Sequence, residues 1–377
     1  MNNLFYVYTP FQFFVAQNII NQERLENNIL ILGSLKNNYF YDSYELMKID
    51  KLWNKIYKID KLPSYASLEK KTLLKDIIRL IKYDKKINGI IKENDINSLY
   101  LCDINNTSCR FSAIKYSRKK IKIIFFEEGI SHYYSYQLFT RGGFFLNLIL
   151  SKTLDVFFFN PIYHFFYAKY IFCKSLSFKE IPMNTRFSIV PVYHEQYDKQ
   201  LFISNLNSNN LIEYINHEYQ KLKLNSYNRE VILFLSQAVD SVNPNMTLLM
   251  INVIRKKFSD VSFKKNLIVI KFHPRDSNEK KSQICILFKE LNLTTYILSS
   301  EYTLPVELYL MQIKFDRIIT FFSSTFLYAG YIYSKIPVDF LILDFFNECK
   351  KHHINTTNLE RAVYDVTEKM KIIYETK

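Results

Sequence analysis

At 377 residues the chain is longer than one hydrophobic core usually organises, so two domains of ordinary size are expected. Its 48% hydrophobic and 16% aromatic content excludes a disordered chain. Lys+Arg 50 against Asp+Glu 36 gives a net charge of +14, which suits membrane lipid, nucleic acid or an anionic nucleotide, although Lys, Asn, Ile, Phe and Tyr are abundant everywhere and composition alone supplies part of it. Five cysteines (Cys102, Cys109, Cys173, Cys285, Cys349) with no C-x-x-C argue against a disulfide framework or a zinc site and fit a reducing cytoplasm.

The N-terminus, MNNLFYVYTPFQFF, lacks a basic n-region and a small-residue cleavage site. It reads as a first strand, Asn3 to Tyr8, followed by a helix from Pro10 to about Glu23 with Phe11, Phe14, Val15 and Ile19 at helical spacing. Strands are expected over Asn28 to Gly33, Ile56 to Ile59 and Leu99 to Cys102. Helices are expected from about Tyr44 and over Leu73 to Glu93. Ile121 to Phe126 is a β-branched and aromatic run too short for a buried helix, hence a buried strand. The stretch 144–178 is dense in aromatics and breaks this rhythm. Asn160, Pro161, His164 and Lys169 interrupt its most apolar part, so it reads as core, as a subunit contact or as a membrane-surface patch, and not as a span.

Ser188 to Val192 reads as the last strand of a first domain, Leu211 to Leu224 as a helix, and Ser226 to Arg229 as the boundary, giving domains 1–227 and 228–377. Strands then recur at Val231 to Leu235, Asn266 to Phe272, Thr295 to Leu298, Arg317 to Phe322 and Val338 to Leu343. Helices fall between them at Thr247 to Phe258, Lys280 to Leu291, Pro305 to Met311 and Phe326 to Tyr333. A β-α-β-α alternation implies parallel sheets covered on both faces. Two such halves predict an α/β, GT-B-like architecture of two doubly wound, Rossmann-like domains facing a cleft. The last helix, Leu359 to Tyr374, is expected to pack back on the first domain.

Four strand-end runs carry candidate chemistry. Glu127-Glu128-Gly129 ends the Ile121 to Phe126 strand, and ligands in open α/β sheets bind outside the carboxyl ends of strands. Gly129, one of six glycines, permits a sharp turn or a close ligand. The plain alternative is a pair of surface acids. Lys271-Phe272-His273-Pro274 puts a histidine at a strand tip, where it could change charge near neutral pH and donate to an anionic leaving group; alone, His-Pro marks a turn. Pro305-Val306-Glu307 offers a carboxylate to ribose hydroxyls, or merely to a helix dipole. Ser323-Ser324-Thr325 offers hydroxyls and backbone N–H groups to a phosphate, or simply an N-cap. Ser236 and Gln237 follow the end of the Val231 to Leu235 strand.

In this order and spacing the runs resemble bacterial sialyltransferases, above all glycosyltransferase family 52, which includes the lipooligosaccharide sialyltransferases. The opening NLFYVYTPFQFFVAQNII is similar to that family's first strand and helix with its Thr-Pro-x-Gln turn. Glu127-Glu128-Gly129 resembles the acidic-acidic-Gly motif shared with the polysialyltransferase and marine sialyltransferase families, although Glu128 stands where an Asp is more usual in the lipooligosaccharide enzymes. The resemblance implies an inverting, metal-independent sialyltransferase that moves sialic acid from CMP-Neu5Ac to a terminal sugar, expected to be galactose, of a surface glycan such as lipooligosaccharide or capsule. It implies Glu128, with Glu127 as fallback, as general base, and His273 on the departing phosphate. Ser323, Ser324, Glu307, Lys271, Pro274, Gln237 and Gly129 would bind the CMP-sugar. It also implies a homodimer; no cofactor, no nucleic acid and a cytoplasmic location are expected, with peripheral contact at the inner membrane, another nucleotide-sugar donor, and a basic membrane- or nucleic-acid-binding protein kept as alternatives. The chain contains no Asp-x-Asp, which fits a monophosphate donor that needs no divalent metal.

Overall fold

The computed structural model describes residues 1–34, 39–60, 73–102, 107–127, 182–190, 198–204, 208–226, 228–237, 245–299, 301–323, 328, 332, 336–357, 360 and 363–364. Two sheets organise them, and every strand pair in both is parallel. The first contains β1 (Asn2–Val7), β2 (Asn28–Ser34), β3 (Lys55–Asp60), β4 (Ile96–Cys102), β5 (Lys122–Phe126), β6 (Thr185–Ser188) and β7 (Asp198–Gln200), in the order β3-β2-β1-β4-β5-β6-β7. The helices that follow its strands in sequence are α1 (Pro10–Gln22), α2 (Tyr39–Met47), α3 (Leu73–Glu93) and α4 (Thr107–Ser117).

The second sheet contains β8 (Val231–Leu235), β9 (Leu267–Lys271), β10 (Thr294–Ile297), β11 (Arg317–Thr320) and β12 (Val338–Phe340), in the order β10-β9-β8-β11-β12. Around it lie α5 (Asn209–Asn225), α6 (Asn245–Phe258), α7 (Asn278–Glu290), α8 (Val306–Leu310) and α9 (Ile342–Lys351). Both orders are doubly wound: the chain starts centrally, builds one half outward, then reverses. The reversal leaves a crevice at the carboxyl ends of the two central strands, β1 and β4 in one sheet and β8 and β11 in the other. The expected α/β class with two Rossmann-like sheets is the class observed.

Strands buried on both faces read as unbroken apolar runs, and β1 shows why. Leu4, Phe5, Tyr6 and Val7 are all fully buried, and the Phe5 ring stacks on Tyr100 of β4 at 4.1 Å and meets Trp53 edge-on at 5.6 Å. Gly33 near the end of β2 is a close-approach glycine, since a Cβ there would come within 1.8 Å of the buried Tyr8 ring. In the second sheet, Phe234 of β8 lies 5.6 Å from both Phe258 of α6 and Phe288 of α7, which locks one helical layer onto the sheet.

The chain folds as two compact units, residues 1–40 with 49–203 and residues 41–48 with 204–377, so the division falls at 203/204 and not at 227/228. Helix α5 explains the difference. Its buried Glu218 accepts from Tyr296 Oη at 3.1 Å and Ser299 N at 3.2 Å, which commits the helix to the second unit. Ser43 of α2 belongs there too, its Oγ accepting from Thr303 N at 2.9 Å.

Other expectations shift. The strand expected over Ser188 to Val192 is β6, which ends at Ser188, and β7 completes the sheet. The strand expected over Val338 to Leu343 stops at Phe340, where Ile342 opens α9. The aromatic stretch 144–178, expected as core or interface, lies outside the described residues. So do 326–333, except residues 328 and 332, and most of the C-terminal helix expected over 359–374.

Candidate active site

In the first unit the Thr-Pro-x-Gln turn is a capping box. Thr9 Oγ1 accepts from Gln12 N at 3.2 Å, and Gln12 Oε1 accepts from Thr9 N at 3.1 Å and from Tyr8 N at 2.6 Å. These bonds fix the turn from β1 into α1 at the sheet's switch point. At the end of β5, Glu127 is wholly buried and its Oε2 accepts from Ile189 N, just past β6, at 2.6 Å. Glu128 and Gly129 follow it outside the described residues.

In the second unit three loops meet at the switch point. Gln237, two residues after β8, accepts through Oε1 from Phe322 N at 2.7 Å, which joins the loop that follows β8 to the one that follows β11 and carries Ser323. Beyond β9 the chain turns tightly. His273 N donates to Asp276 Oδ2 at 2.8 Å, Asp276 N donates to His273 O at 2.9 Å, and Arg275 N donates to His273 Nδ1 at 3.1 Å. Pro274 is exposed at the turn's outside.

A nitrogen that accepts a backbone N–H carries no proton, so the neutral His273 ring holds its proton on Nε2. Burial, followed by the nearby Arg275, pushes its pKa down to about 4, with Lys280 and Lys271 pushing the same way and Asp276 opposing. The expectation that it changes charge near neutral pH is therefore corrected: the imidazole is neutral at pH 7, a hydrogen-bond donor through Nε2. Lys271 sits 5.2 Å over the Tyr309 ring. Burial pushes its pKa down to about 8, against the raising effect of Glu307, which is itself buried in α8.

The structure thus gathers Gln237, Lys271, His273, Glu307 and Ser323 in the second unit, at or beside the carboxyl ends of its strands; Ser324 lies outside the described residues. Sequence reasoning missed three residues. Asp276 and Lys280 form a buried ion pair at 2.9 Å, with side chains 0% and 1% exposed. Ser236, directly after β8, has a buried Oγ with no hydrogen-bond partner among the described residues. Among the described residues no cluster of His, Cys, Asp or Glu could hold a metal, and no helix is long and apolar enough to cross a membrane.

The model of a family described as alpha-2,8-polysialyltransferase matches residues 3–340. The chain belongs to that family. Membership makes it a glycosyltransferase of sialyltransferase kinship, with a nucleotide-sugar donor and a glycan acceptor. No curated protein matches the sequence. Among solved structures, the UDP-GlcNAc 2-epimerase from Neisseria meningitidis bound to UDP-GlcNAc aligns with TM-score 0.51 at 11% identity, covering 100% of this chain and 99% of that one. The Methanocaldococcus jannaschii UDP-GlcNAc 2-epimerase in complex with UDP-GlcNAc and UDP aligns with TM-score 0.48 at 13% identity, covering 90% and 83%. At 11% identity the first of these likenesses is one of fold, and the fold is GT-B.

Proposed function

We propose that this family member is an inverting sialyltransferase that uses CMP-sialic acid as donor. The observation that supports it best is the His273 turn, which holds an uncharged imidazole with its proton on Nε2 at a strand end. A neutral N–H donor suits a phosphodiester that is singly charged in the donor and gains charge as it leaves. The interaction strengthens as the reaction proceeds, and that is the condition for catalysis. In the step itself, an acceptor oxygen bonds to the anomeric carbon while the bond from that carbon to the phosphate oxygen breaks. Glu128 takes the acceptor proton, and His273 donates to the departing CMP. Attack opposite the leaving group inverts the centre. Glu307 serves the ribose, Ser323 and Ser324 the phosphate, and Lys271 the nucleotide. The family description favours a terminal sialic acid, through its 8-hydroxyl, over galactose as acceptor.

The test is a thermal shift with CMP, CDP and UDP, followed by donor consumption with sialic-acid-terminated and galactose-terminated acceptors in EDTA. CMP should raise the melting temperature most, because ligand that binds only the folded state stabilises it by mass action, and transfer should persist in EDTA. A preference for UDP, or transfer that stops in EDTA, overturns the reading in favour of another nucleotide-sugar chemistry.

A further inference from the structure

The Lys280 ammonium is an unusual group to bury. It sits in the first turn of α7, where the helix dipole disfavours a cation, and only 1% of its side chain is exposed. Buried ion pairs seldom add net stability, since desolvation offsets their attraction and an apolar pair of similar size serves as well. What this pair does is geometric. Lys280 Nζ lies 2.9 Å from Asp276 Oδ1 and donates to Gln237 O at 2.5 Å. The other Asp276 oxygen receives His273 N, and the Gln237 side chain receives Phe322 N. One ammonium therefore ties together the turn that holds the imidazole, the end of β8, and the loop that carries Ser323.

We infer that Lys280 and Asp276 are positioning residues for the transfer reaction: they fix His273 relative to the Ser323 loop, so that the imidazole and the hydroxyls address one phosphate. Neither touches the reacting atoms. The inference rests on the sialyltransferase reading and adds to it the groups that set the geometry of its leaving-group side. The charged groups that face His273 are Arg275 and Asp276 in its own turn, Lys280 of α7 and Lys271 of β9.

The decisive variant replaces the pair with apolar side chains, Asp276→Leu with Lys280→Met, leaving no orphaned charge. A merely structural pair would tolerate this with wild-type turnover per folded molecule. A positioning pair would keep the melting temperature near wild type yet lose turnover by roughly tenfold to a hundredfold, because an ångström of misplacement has that effect on an oriented reaction, with KM for the donor changing less. Full turnover in the folded double variant overturns the inference. The isosteric Asp276→Asn gives a second reading if the double variant does not fold. It presents an N–H₂ to either Lys280 or His273 N, so unchanged turnover there also overturns the inference. His273→Ala is measured alongside. If it is inactive while the double variant is fully active, positioning fails and the sialyltransferase reading stands; if it is fully active, that reading loses its leaving-group donor.

Discussion

Glu127 Oε2 accepts the backbone N–H of Ile189 at 2.6 Å, so the first acid of the Glu-Glu-Gly run ties the end of β5 to the chain just past β6. A fully buried carboxylate that serves this bond is poorly suited to meet an acceptor sugar. The two adjacent acids should separate by phenotype. Glu127→Ala should cost about 1–3 kcal/mol in urea denaturation, the usual penalty for leaving a buried donor unpaired. Glu128→Gln should keep CMP binding and stability while turnover falls by about 10²-fold or more. Normal turnover in Glu128→Gln with an inactive, folded Glu127→Gln would reverse the assignment.

His273 makes the acid limb of the stability curve steeper. Its pKa is about 4 in the folded chain against 6.5 ordinarily, so between those values the unfolded state binds the extra proton and folding weakens as pH falls. His273→Gln should remove that contribution, on the order of 1–2 kcal/mol for a half-buried ring. Chemical denaturation at pH 7 and pH 4.5 reads it; parallel losses in variant and parent would show that the ring is not held neutral.

Lys271 should set an alkaline limit on nucleotide binding. With its pKa near 8 it loses its charge as pH rises through that value, well below an ordinary lysine. CMP affinity should fall between pH 7 and pH 9 in the parent and stay flat in Lys271→Met, by titration calorimetry at constant ionic strength. A flat profile in the parent places Lys271 away from the anion.

Ser236 pairs a cost with a use. Its buried Oγ has no partner among the described residues, and an unpaired buried hydroxyl costs about 1–3 kcal/mol. Ser236→Ala should therefore stabilise the ligand-free protein and weaken CMP binding, as expected of a group kept for a ligand. Unchanged CMP affinity in a stabilised Ser236→Ala would leave the orphan without a function.

The strands were legible because parallel, doubly covered strands such as VILFL and LIVIK are unbroken apolar runs. Helix α4 was not, since its buried face mixes Cys109, Phe111, Ser112, Ala113 and Tyr116 and gives little amphipathic signal. Strand β12 ran into α9 because FLILDFF is apolar at either period. The Asp276 and Lys280 pair was invisible for a different reason: polar residues four apart at a helix start look like a solvated face, and only the folded chain buries them. The strand-end motifs stood out because turn chemistry is local, whereas the burial of Glu127 depends on strands β5 and β6 coming together.

Strands β5 and β6 are register partners, Ile124 beside Thr185 and Phe126 beside Phe187, although residues 127–184 intervene. The pairing closes that excursion at both ends, and the entropy of closing a loop grows only slowly with its length. The sheet is therefore indifferent to the size of what it brackets. The registers of this sheet are thus set by its own strands, and the length of chain between Glu127 and β6 can change without refolding it.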